Sequence, residues 1–312
     1  MNLLTYIGLV IIGFTFLVKG ADWFVEGTSG IASKMGIPQL VIGLTIVAMG
    51  TSAPEAAVSI TSAFKGSADI AVGNVLGSNI LNILVILGIT SIITPLLLQN
   101  STIRYEIPFM IFVTIVFGIV GLNNYILGWL ASAILLFLFI VYLAYLYYMS
   151  KKGFIDSEED NSKSEQSMFK LIILSVIGVV LIIIGSNFAV DGATGLARVF
   201  GVSERVIGLT IVALGTSLPE LVTSVTAALK NKADIAIGNI VGSNVFNILF
   251  VIGISSAITP VPYQSAFFFD TVVAVLSAVF LYLLILNKDH QLKRCGGVLM
   301  LIIYAGYLVY LL

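Results

Sequence analysis

The chain has 312 residues, of which 59% are hydrophobic and only 10% charged. Its mean hydropathy of +1.10 excludes a water-soluble globular protein, because soluble domains carry about 25% charged residues. The net charge of −1 argues against a polyanionic partner such as nucleic acid.

In chain order, apolar stretches predict ten helices, at 3–18, 38–64, 70–93, 105–121, 125–148, 169–190, 203–229, 235–258, 266–286 and 297–312. Each approaches the roughly 20 residues that cross a lipid core of about 30 Å. The first run, after Met1-Asn2-Leu3-Leu4, lacks the basic flank of a cleaved signal and reads as a retained helix. The polar stretch at 150–168, rich in Lys, Asp, Glu and Ser, reads as a flexible linker. The single cysteine, Cys295, excludes an intrachain disulfide. The single histidine, His290, sits in a polar loop and reads as solvated.

Sorting lysines and arginines by loop gives twelve on one side and three on the other, Lys65, Arg198 and Arg205. Positive charge stays inside, so the linker faces the cytoplasm and both termini face outward. A plasma-membrane, multi-pass protein is expected.

Shifted by 165 residues, the sequence matches itself. From Thr45–Pro95 against Thr210–Pro260, 31 of 51 pairs are identical without a gap, Pro, Glu and Asn positions included. Apolar composition alone does not preserve such positions. Each half has five spans, an odd number, so the second must enter the membrane from the opposite side. The fold class is therefore all-α integral membrane, with ten transmembrane helices in two inverted-topology five-helix repeats: residues 1–149 and 169–312, joined by the linker at 150–168. Secondary transporters of this architecture bind cargo near the midplane, between the repeats. A duplicated scaffold with no site would leave the buried carboxylates unexplained.

Glu55 and Glu220 lie at matched depth in the second and seventh spans. A charge there costs about 2.5–3.5 kcal/mol or more. Pro54 and Pro219 should break both helices and free the carbonyls of Gly50 and Gly215 as candidate cation ligands. Thr51, Glu55 and Ser59 share one helix face, as do Thr216, Glu220 and Ser224. Asn74, Ser78 and Asn82 form a further stripe, repeated as Asn239, Ser243 and Asn247. Carboxylate, hydroxyl, amide and carbonyl oxygens are hard donors suited to Ca²⁺ and, by the same logic, Na⁺. Other readings stand beside this one. Ser52-Ala53-Pro54-Glu55 and Ser217-Leu218-Pro219-Glu220 also fit capping boxes, and the serines and threonines could bond to their own helices. Gly73/Gly77 and Gly238/Gly242 read as close-packing pairs. Asn79 and Asn244 read as helix bridges, Asp69 and Asp234 as N-caps, and Asp22, Glu26 and Asp191 as solvated residues at span ends.

The paired motifs Gly-Thr-Ser-x-Pro-Glu and Gly-Asn-x-x-Gly-Ser-Asn-x-x-Asn resemble the alpha repeats of the sodium/calcium exchanger superfamily, compact prokaryotic type. The resemblance implies antiport of sodium against calcium, with these ions as cargo and no enzyme activity, cofactor or obligate protein partner. It also implies that Glu55 and Glu220 are central ligands. Thr51, Thr216, Ser52, Ser217, Ser78 and Ser243 would add oxygens. Ala48 and Ala213 would offer carbonyls, and Asn82 and Asn247 would complete the centre. Some relatives, including potassium-dependent ones, carry aspartate where Asn247 stands, so asparagine in both halves points to potassium-independent exchange. Proton/calcium exchange and a passive cation channel are the rival readings.

Overall fold

The computed structural model describes residues 3–65, 69–122, 125–152, 166–201 and 213–311. The helices are α1 (Leu3–Met35), α2 (Gln39–Thr51), α3 (Ala53–Phe64), α4 (Ile70–Ile93), α5 (Thr102–Leu122) and α6 (Trp129–Lys152) in the first half. They are α7 (Met168–Val199), α8 (Ala213–Thr216), α9 (Leu218–Leu229), α10 (Ala233–Ile258), α11 (Ala266–Ile285) and α12 (Arg294–Leu311) in the second. Among the described residues, eight helices are long and apolar enough to span a membrane, and the bent pair α2–α3 makes a ninth span. The seventh expected span, 203–229, is described only from Ala213 onward. The chain is a nearly all-helical integral membrane protein.

The first and sixth spans exceed their expected limits. At about 1.5 Å per residue, the 33 residues of α1 reach about 50 Å, well beyond the lipid core of about 30 Å. Lys19, Asp22 and Glu26, expected at or beyond a span end, lie on this continuous helix. The reason is packing. α1 and α7, equivalent helices of the two repeats, cross antiparallel through glycines. A methyl group at Gly13 would fall 2.8 Å from the Gly185 carbonyl, and one at Gly20 2.8 Å from that of Gly178. Small residues let such backbones touch, and the contact holds the polar turns helical. Equivalent helices meeting antiparallel require a two-fold axis across the helix direction, which is the geometry of an inverted repeat.

Two short ribbons repeat this exchange. β1 (Leu96–Leu97) pairs with β4 (Gln291–Leu292), and β2 (Ile126–Leu127) with β3 (Val261–Pro262), each joining a loop of one half to the other. The most enclosed helices are α4 and α10, with 72% and 94% of their apolar windows buried, which makes them the centre of the bundle. Outer helices expose residues such as Ile11, Trp129, Phe137 and Val309, as a lipid-facing surface requires.

Three π-helical turns were not foreseen within or beside these central spans, at Gly43–Val47, Asn82–Leu87 and Asn247–Ile252. Wider turns of this kind occur at functional sites, and two of them begin at a paired asparagine. The linker expected at 150–168 is trimmed by α6, which runs to Lys152, and by Ser167, whose hydroxyl caps α7 from Lys170 N at 3.2 Å. Residues 153–165 lie outside the described residues.

Candidate cation site

Pro54 follows a break at Ser52, where φ/ψ of −82°/7° ends α2, and α3 leaves at 52° to it. Ser217, at −94°/5°, marks the matching break between α8 and α9. Neither serine caps its own helix. Instead each hydroxyl crosses to the other repeat. Ser52 Oγ donates to Glu220 Oε1 at 2.8 Å, and Ser217 Oγ to Glu55 Oε1 at 3.4 Å. The capping-box reading is thereby excluded, and the serines draw the carboxylates of opposite halves together.

Glu55 and Glu220 are 0% and 1% exposed. They stand close enough to repel one another, and among the described residues no lysine or arginine bonds to either. Thr216 lies beside Glu55, and Thr51 beside Glu220. The Thr51 hydroxyl approaches its own helix at Val47 O, but its shortest contact is Asn239 Oδ1 at 2.9 Å. Asn239 in turn donates to Ser224 Oγ at 2.9 Å, as Asn74 donates to Ser59 Oγ at 2.9 Å. These amides fasten each broken helix to the central helix behind it.

Asn79 and Asn244 bridge α4 and α10, as the sequence suggests, through reciprocal bonds from each side-chain nitrogen to the other's carbonyl at 3.1 and 3.2 Å. They also do something the spacing did not reveal. Asn82 Nδ2 donates to Asn244 Oδ1 at 3.0 Å, and Asn247 Nδ2 to Asn79 Oδ1 at 3.2 Å. With both nitrogens engaged, Asn82 Oδ1 and Asn247 Oδ1 are left buried without a hydrogen-bond partner. Glu55 Oε2 and Glu220 Oε2 are in the same condition. Four orphaned acceptor oxygens, two from each repeat, thus occur in the dry interior. Buried acceptors are rarely left bare, and oxygens of these kinds are the donors that hard cations take. Among the described residues no three His, Cys, Asp or Glu side chains cluster, so any cation here meets two charges and otherwise neutral oxygens.

The remaining expected residues are placed less evenly. Ala48 is buried, and its carbonyl accepts from Ser52 N at 3.0 Å and Ser243 Oγ at 3.4 Å. Ser78 is 5% exposed, and Thr216 is only half-buried. The side chain of Ala213 lies outside the description. The freed carbonyl of Gly215 is not open to a cation, because Ser186 Oγ of α7 donates to it at 2.7 Å. No repeat pattern could announce this, since the residue matching Ser186 is Ala21. The N-cap reading of Asp234 also fails: it lies inside the first turn of α10, accepting a hydrogen bond from Gln99 Nε2. Asp22 and Glu26 are likewise engaged, with Lys230 and Gln166.

The sequence profile described as "Sodium/calcium exchanger protein" matches the chain twice, over residues 5–148 and 170–312. The chain belongs to the sodium/calcium exchanger family. This exchanger is 31% identical to the sodium/calcium exchanger MaX1 of Methanosarcina acetivorans, with 97% of each chain covered. It is 36% identical to the inner membrane protein YrbG of Escherichia coli, covering 97% of this chain and 94% of that one. Among solved structures it resembles the sodium–calcium exchanger NCX_Mj soaked in 10 mM Na⁺ without Ca²⁺, at 32% identity, 99% coverage of both chains and a TM-score of 0.85. The exchanger is thus a membrane transporter of the cation/calcium antiport class and not an enzyme.

Proposed function

We propose that this exchanger moves sodium against calcium by alternating access, at a site centred on Glu55 and Glu220. The carrying observation is the set of four unpartnered oxygens, Glu55 Oε2, Glu220 Oε2, Asn82 Oδ1 and Asn247 Oδ1. Two carboxylates in low dielectric repel until positive charge arrives. One Ca²⁺ cancels both, and so do two Na⁺, so the two loads exclude each other. The hydroxyls of Thr51, Thr216, Ser52, Ser217, Ser78 and Ser243, and the carbonyls of Ala48 and Ala213, complete the shell as each ion enters. Ser52 and Ser217 hold the carboxylates in the meantime. In this reading the repeats are residues 1–149 and 169–312, and the protein lies in the plasma membrane with the 150–168 linker in the cytoplasm and both termini outside. Its relatives' names, sodium/calcium exchanger MaX1 and NCX_Mj, support the ion pair.

Radiocalcium uptake into sodium-loaded proteoliposomes tests this directly. Uptake should require the outward sodium gradient and be indifferent to potassium. It should fall as pH drops toward about 4, the ordinary carboxylate range, because protons then compete for the same oxygens. Uptake driven equally well by a proton gradient without sodium would replace sodium as counter-ion. Calcium flux that needs no counter-ion would make the protein a channel.

A further inference from the structure

The repeat supplies an internal control for every contact, since each has a counterpart 165 residues away. One group of contacts breaks that symmetry. α1 lies along α9, whereas its equivalent, α7, makes no comparable contact with α3. At the far end of α9, Lys230 Nζ pairs with Asp22 Oδ1 of α1 at 2.5 Å and bonds the Asp22 carbonyl at 2.9 Å. Two residues on, Lys232 Nζ donates to Ser29 Oγ, about two turns further along α1, at 2.6 Å. Two cations thus grip the same face of one helix at two points.

The other half lacks the chemistry for this. Lys65 matches Lys230, but Asn187 stands where Asp22 would be, and Ser67 where Lys232 would be. Thr194, which matches Ser29, keeps its Oγ1 buried and, among the described residues, without a hydrogen-bond partner. The same side that carries the grip is also the tightly packed one. Gly238 and Gly242 of α10 seat Leu40, Gly43 and Leu44 of α2 against them.

We infer that Asp22–Lys230 and Ser29–Lys232 form a latch that closes the cytoplasmic path to the site, holding α1 against α9 until the path reverses. The inference rests on the transport reading above and on the lysine and arginine bias that puts residues 230–232 inside. α1 and α7 are locked to each other by their glycines, so they shift as one body. When that body moves toward α3 to shut the other side, both lysines must release it. At the matching positions of the other half, Asn187 in place of Asp22 leaves Lys65 no equivalent ion pair, so the Asp22–Lys230 pair biases the resting protein toward a cytoplasm-closed state. An ion pair whose side chains are 30% and 40% exposed is screened, which makes it a reversible catch and not a permanent clasp.

Spin labels read this without any flux. On a Cys295→Ser background, one labelled pair at Met35 and Leu229 reports the latched side, and a second at Phe64 and Phe200 the other; all four positions are exposed. Asp22→Asn or Lys230→Met should lengthen or broaden the first distance and shorten the second. The exchanged pair Asp22→Lys with Lys230→Asp should restore both. In proteoliposomes of fixed orientation, the single variants should change the ratio of half-saturating calcium on the two sides about two- to five-fold, the range such pairs support. Distances unchanged by both single variants, or an exchanged pair no better than either, would overturn the latch. Failure of sodium-driven uptake in the unaltered protein would instead strike the functional reading, leaving the distances to judge the latch by themselves.

Discussion

The two broken helices are built from nearly the same sequence, yet they sit differently. α2 is sealed: Thr51 is 0% exposed, and the glycines of α10 meet its backbone. Around α8 the matching Thr216 is half-buried, as is Asn74, the counterpart of the buried Asn239, and among the described residues nothing lies within 4 Å of a methyl group added at Gly77, which matches Gly242. The carboxylate bridges follow the same split, 2.8 Å from Ser52 and 3.4 Å from Ser217. The lesson is that nearly the same sequence packs differently in the two halves. In the alternating-access reading proposed above, each half shows the packing that its twin takes up at the other stage of the cycle.

The largest test of the comparison lies at the carboxylates, where the halves should behave alike. Glu55→Gln and Glu220→Gln should each reduce sodium-driven calcium uptake by about 100-fold or more, since each removes half of the charge that binds the ion in a dry site. Both variants should still elute as folded protein, because glutamine keeps the acceptor that Ser52 or Ser217 engages. Wild-type uptake in both would refute the assignment.

Next comes a test where the halves should differ. Gly242→Ala would drive a methyl to 2.7 Å from the Leu44 carbonyl, while Gly77→Ala meets nothing within 4 Å among the described residues. Thermal unfolding in detergent should show Gly242→Ala destabilised by about 1–3 kcal/mol and Gly77→Ala close to unchanged. A slowed transport cycle in Gly77→Ala would sharpen the comparison, by showing that α4 must also make the tight contact at another stage.

The bridging asparagines should again be equivalent. Asn79→Ala or Asn244→Ala removes the partner that turns the opposite central amide. Each should cost about 1–3 kcal/mol of stability through unpaired buried groups and weaken calcium binding by titration. A loss of stability with calcium affinity intact would make them bridges alone. The smallest effect belongs to Ser186→Ala, which uncaps the Gly215 carbonyl and should cost about 1 kcal/mol. Ala21→Ser at the matched position should add nothing of that size, and equal effects at both would show that the cap is not specific to one half.

Much of this was legible in the residues. The repeat, the breaks at Pro54 and Pro219 and the depth of Glu55 and Glu220 followed from spacing, because a helix has a fixed period and lipid tolerates few charges. What depends on the other half was harder to read. The Ser52-to-Glu55 spacing fits a cap perfectly well, and only the approach of Glu220 takes the hydroxyl elsewhere. Asn79 gave no sign that it would orient Asn247, since the two meet across the repeat interface. The full lengths of α1 and α7 escaped the hydropathy pattern because glycine contact with a second helix, and not lipid, stabilises their polar turns. Glu106 was overlooked for a related reason. It is 1% exposed and accepts a hydrogen bond from Tyr145, but its counterpart is Thr271, so the repeat does not mark it.

Anomalous scattering from crystals soaked in Sr²⁺, a heavier stand-in for Ca²⁺, addresses the centre of the account most directly. A single strong peak should lie within coordination distance of Glu55 Oε2 and Glu220 Oε2, flanked by Asn82 Oδ1 and Asn247 Oδ1, and should vanish when sodium is raised. A peak bound elsewhere, or bare carboxylates at saturating strontium, would contradict it.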